Sequence, residues 1–75
     1  MRVFSADKLI SVPYEDTTFE ISKDVDGNWN LWAIPAKRGY LMASYPSRER
    51  AVKELWSIAR LGESKIPIIE VQSEN

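Results

Sequence analysis

The side chains that most often do chemistry are absent from this chain. Its 75 residues include no histidine and no cysteine. That removes the base that titrates near neutral pH, the thiolate nucleophile, and the softer ligands of transition metals. No Gly-x-Ser-x-Gly run is present to raise a serine into a nucleophile. Three glycines, none clustered, make no phosphate-cradling loop. The paired carboxylates Glu15/Asp16 and Asp24/Asp26 fall in loop-like stretches with no acid–base partner beside them. Asp24-Val25-Asp26-Gly27-Asn28 also lacks the further oxygen ligands and closing glutamate of a calcium loop. The expected protein has no catalytic residue, cofactor or metal, and works by binding.

For binding, one cluster stands out. Lys37-Arg38 lies between Trp32 and Tyr40, and cations beside aromatic faces can hold a nucleobase and its phosphate. The plainer reading of Lys37-Arg38 is a solvated hairpin tip. Arg48 and Arg50 fall in the first turn of the expected helix, where free N–H groups attract anions; Glu49 between them weakens that attraction. The plainer reading there is an ordinary charged face.

These residues must be positioned by strands and one helix. Ser47 is placed to cap a helix that carries Glu49 in its first turn and Arg60 in its last, with Gly62 suited to closing it. Ala51, Val52, Leu55 and Ala59 share a stripe at helical spacing, with Trp56 and Ile58 on its shoulders, and all six are expected in the core. Strands are expected at Arg2–Phe4, Leu9–Tyr14, Thr17–Lys23, Trp29–Ile34, Tyr40–Tyr45 and Ile66–Val71, with residues 72–75 as a frayed tail. Pro13 and Pro67 restrict their strands to edges, bends or strand starts. Asp26-Gly27 marks a hairpin.

The fourth and fifth strands read as apolar on both faces. Simple alternation puts Trp29, Leu31, Ala33, Leu41, Ala43 and Tyr45 on one side, and Trp32, Ile34, Tyr40 and Met42 on the other. A single helix covers one face only. The second face calls for a subunit, a ligand or the N-terminal hairpin. The expected architecture is α+β: one antiparallel sheet of five or six strands with one helix packed on one face, in the order β-β-β-β-β-α-β, as a single domain.

Hydrophobic residues make up 44% of the chain, so it has the composition of a globular protein. A chain of this length buries only about 60% of its unfolded surface, and without disulfide or metal its usual route to extra stability is self-association. A homo-oligomer, most simply a dimer, is therefore expected. The net charge of −1, with basic residues dispersed, argues against general nucleic-acid binding. No apolar run approaches the roughly 18 residues of a membrane span. Met1-Arg2-Val3-Phe4 passes directly into a strand-like pattern, so a cytoplasmic location is expected.

Met1-Arg2-Val3 at the start, Val12-Pro13-Tyr14-Glu15, and Tyr45-Pro46-Ser47-Arg48-Glu49-Arg50-Ala51 at the helix start together resemble short proteins of Firmicutes phages and integrated elements. The likeness covers the two ends of the chain better than its Trp-rich middle. It departs at the first turn, where Asp7-Lys8 stands for the group's Asp-Gly. The resemblance implies an accessory role in a mobile element, within a bacterial cytoplasm, and supplies no functional residues. Three functions follow as expectations. The first is a counter-defence factor sequestering a small signalling nucleotide through Trp32, Ile34, Lys37, Arg38, Tyr40, Met42 and Arg48. The second is an antagonist that docks a host or defence protein through the same apolar face. The third is a structural or regulatory phage component without a small ligand.

Overall fold

The computed structural model of the chain describes residues 1–73. Its elements run β1 (Arg2–Phe4), β2 (Ser11–Pro13), β3 (Thr18–Lys23), β4 (Trp29–Ile34), β5 (Tyr40–Tyr45), α1 (Arg48–Glu63) and β6 (Ile68–Glu70). The order is the expected one, but the strands form two sheets rather than one. β3-β4-β5 make an antiparallel meander. β2-β1-β6 make a second sheet, in which β1 pairs antiparallel with β2 and parallel with β6.

The break falls between β2 and β3. There Asp16 adopts a left-handed φ of 67° and the Thr17 hydroxyl bonds back to the Pro13 carbonyl, so the chain turns before it can extend one sheet. The helix then carries the chain back, and β6 lands beside β1. Arg2 N–H donates to the Pro67 carbonyl at 2.9 Å and Val71 N–H to that of Phe4 at 2.9 Å. β2 and β6 are both edges, consistent with Pro13 and Pro67.

The helix starts where expected. Ser47 is extended at φ −137°, and its Oγ accepts from Arg50 N–H at 3.3 Å. Its end differs. Gly62 lies inside the last turn, Ser64 is the C-cap, and Lys65 supplies the left-handed residue at φ 57°. Gly62 is needed for another reason: a Cβ built on it meets the Tyr14 ring at 2.1 Å. The buried helical positions are Ala51, Ile58 and Gly62, with Leu55 half-buried. Trp56 is 70% exposed, so its expected place in the core is corrected. At about 100° per residue Trp56 lies far around the helix from Ile58, and Ile58 is the side chain that faces the sheets.

The core joins both sheets. Val3, Val12 and Ile69 come from one, Leu31, Ala33, Met42 and Tyr45 from the other, Ala51 and Ile58 from the helix, and Val71 from the segment after β6. α1 contacts all three meander strands and also β6. Gln72, expected to fray, is instead held: its N–H donates to Glu54 Oε2 at 2.9 Å, and its carbonyl accepts from the Tyr45 hydroxyl. Of the expected tail, residues 74–75 lie outside the described residues.

Candidate functional site

A β-bulge rearranges the expected apolar face. Leu31 pairs with Ala43, but Trp32 pairs with Leu41, leaving Met42 as the extra residue. The inserted residue reverses the alternation along β5. Met42 turns into the core at 2% exposure, and its unpaired carbonyl accepts from Ala6 N–H at 3.0 Å, tying the two sheets together. Tyr40 shares the helix-side face with Ala33, whereas Leu41, at 42% exposure, stands beside Trp32. The expected grouping of Trp32, Ile34, Tyr40 and Met42 on one outer face is therefore corrected: Tyr40 and Met42 leave it, and Leu41 joins it.

Trp32 and Ile34 remain on the outer face, both half-buried. Trp32 Nε1–H donates to Ser22 Oγ at 3.0 Å, and a Cβ built on Gly39 would meet both side chains at 3.6 Å. Lys37 and Arg38 are exposed on the β4–β5 loop, and the Arg38 guanidinium sits over the Tyr40 ring at 5.5 Å. That contact uses a face of the ring on which a base would stack. Arg48 is exposed at the first helical residue. Of the seven expected site residues, the structure keeps Trp32 with Ile34 and Arg38 with Tyr40, and does not gather the set into one concavity.

An apolar concavity lies elsewhere. A groove of about 310 Å³ runs between the helix and β3, lined by Tyr14, Phe19, Leu55, Trp56, Ile58 and Ala59. The Tyr14 and Phe19 rings stack at 6.2 Å along its sheet-side wall. Tyr14 reaches that position because it packs on the bare backbone of Gly62. On the other flank of the helix a polar groove of about 270 Å³ is lined by Arg50, Lys53, Glu54, Ser57, Arg60 and Gln72, with Glu54 accepting from Gln72 N–H. The sequence signal for the apolar groove was Trp56 on the shoulder of the helix stripe, beside the Phe19 face of a strand that alternates cleanly.

Ser5-Ala6-Asp7-Lys8 has Ser-x-x-Lys spacing. The geometry separates the two groups. Ser5 is buried, its Oγ donates to Asp7 Oδ1 and accepts from Ile10 N–H at 3.2 Å, and Lys8 Nζ reaches Glu70 at 3.0 Å. Asp7 also accepts from Leu9 N–H at 3.0 Å. The Ser5 hydroxyl first, and that N–H second, hold the Asp7 carboxyl below its ordinary value of 3.8. This is a turn-forming knot, and Lys8, at φ 64°, occupies the left-handed position that glycine favours.

Comparison with protein-family models, with curated proteins and with solved structures finds no match for the chain.

Proposed function

We propose that this protein acts by binding rather than catalysis, as an accessory protein that docks an apolar segment of another protein in the groove between α1 and β3. One observation carries the reading: Trp56, the largest kind of side chain, stands 70% exposed on the rim of an apolar groove. Exposed aromatics beside apolar concavities are the residues on which protein interfaces concentrate their energy. The resemblance to short phage and mobile-element proteins supplies the setting, in which the partner is a host or defence protein. Nucleotide sequestration has less support, because Lys37, Arg38 and Tyr40 do not line the aromatic groove and the Arg38 guanidinium already sits over the Tyr40 ring.

The test is a photo-crosslinking residue at position 56, compared with one at position 37, in bacteria expressing the protein. Adducts to one protein at position 56, lost on competition with unlabelled protein but not with its Trp56→Ala variant, are expected. Trp56→Ala itself should alter stability by under about 1 kcal/mol, as an exposed site does. Adducts confined to position 37, or a nucleotide co-purifying and released by Arg38→Ala, would overturn the reading.

A further inference from the structure

The meander ends on β3, and β3 is an open edge. Asp24 N–H donates to the Asn28 carbonyl at 2.9 Å, in line with the β3–β4 register. Hydrogen-bonded and non-bonded pairs alternate along an antiparallel ladder, so Ser22↔Asn30, Glu20↔Trp32 and Thr18↔Ile34 are the bonded pairs. The N–H and C=O groups of Phe19, Ile21 and Lys23 therefore point away from β4. Among the described residues, none of them has a backbone partner outside the ladder. The other edges are protected. β5 carries the bulge, with the Met42 carbonyl taken by Ala6, while β2 and β6 are three residues each. The open edge also borders the Trp56 groove, since Phe19 lines it.

We propose that a second copy of the chain adds its β3 antiparallel to this edge, about a two-fold axis at Ile21. Such an axis stands perpendicular to the sheet, so helix-side residues must meet helix-side residues. With the axis at Ile21, Ile21 bonds the partner's Ile21, Phe19 bonds the partner's Lys23, and every open edge group of the three residues is used. In the closer, non-bonded pairs, Glu20 then meets the partner's Ser22. Moving the axis to Glu20 sets that carboxylate against its own copy, and moving it to Ser22 sets Glu20 against the partner's Asp24. Like charges directly opposite are destabilising, which selects Ile21 over Glu20 and Ser22, and an axis at Phe19 or Lys23 would pair Ile21 with Thr17 or Val25, outside β3. The joined sheet carries both helices on one face. The inference deepens the binding reading, because the partner's Lys23, opposite Phe19, and the partner's Ile21 extend the sheet-side wall of the groove.

Sedimentation of the full chain, with amide hydrogen exchange at rising concentration, tests this. A dimer is expected, with the Phe19, Ile21 and Lys23 amides gaining protection as it forms. Two substitutions read the register. Ser22→Lys removes the acceptor of Trp32 Nε1–H and Ser22→Asp exchanges it for a carboxylate oxygen, and the two place opposite charges beside the partner's Glu20. Ser22→Lys should tighten the dimer and Ser22→Asp loosen it, separating their dissociation constants by roughly 3- to 30-fold. A monomer at submillimolar concentration, a dimer that leaves the three amides open, or a shift in the same direction for both variants overturns the proposal. A monomer that still captures a protein through Trp56 leaves the binding reading standing. A dimer whose Trp56 captures nothing removes the binding reading and keeps the dimer.

Discussion

Gly62 and Asp7 show how single residues set local structure here. Tyr14 packs on Gly62 so closely that a methyl group meets its ring at 2.1 Å, whereas at Gly39 the nearest atoms are 3.6 Å away. Gly62→Ala should therefore cost about 1–3 kcal/mol or more through overpacking, despite alanine's better helix propensity. Gly39→Ala should cost much less, and denaturant melts of the two variants provide the comparison. Asp7 carries the pH dependence of the first turn. Its folded value is depressed, so the stability it contributes is complete above its ordinary value of 3.8 and is lost as the pH falls through the folded value. Asp7→Asn should flatten that part of the acid limb of a stability–pH profile while leaving the remainder. An acid limb of unchanged slope would count against the Ser5–Asp7 contact.

At the scale of elements, the helix and the bulge decide which surface is core. Ile58 is 1% exposed and Leu55 only half-buried, so Ile58→Ala should cost about 2–5 kcal/mol and exceed Leu55→Ala. Lys53→Ala, on the solvent side, should change stability by less than about 0.5 kcal/mol. Equal losses for Ile58→Ala and Lys53→Ala in chemical denaturation would mean the helix is rotated. The strand limits of β4 and β5, the Ser47 cap and the hairpin turn were legible in the sequence because each rests on neighbouring residues. In that turn Asp24 Oδ1 accepts from the Asp26 and Asn28 N–H groups at 2.9 and 3.0 Å, with Gly27 at φ 87°. The bulge was not legible. Tyr40-Leu41-Met42-Ala43 has no glycine or proline to mark an inserted residue, and alternation counted through it assigns Tyr40 and Met42 to the wrong face.

For the molecule as a whole, cohesion between the sheets depends on a few long-range contacts. The Tyr45 hydroxyl on the last meander strand donates to the Gln72 carbonyl, and Glu54 on the helix accepts from Gln72 N–H. Together they seat the segment after β6, including the buried Val71. Tyr45→Phe should cost about 1 kcal/mol and speed amide exchange at Val71 and Gln72 more than in β3–β4. Uniform acceleration across both sheets would mean that this contact governs global unfolding rather than the docking of β6.

The sequence by itself determined the composition of a small α+β domain, the order of its elements, the cap of its helix and the poverty of its catalytic groups. Each depends on residue type or on spacing within a few positions. Tertiary structure decided the rest. β6 chose β1 over the meander, Gly62 served Tyr14 rather than the helix end, and Met42 went inward while Trp56 was left outside. These outcomes depend on pairings between residues far apart in the chain. Local periodicity carries no term for them, because the energy that selects a partner strand or a helix face comes from burial shared across the whole core.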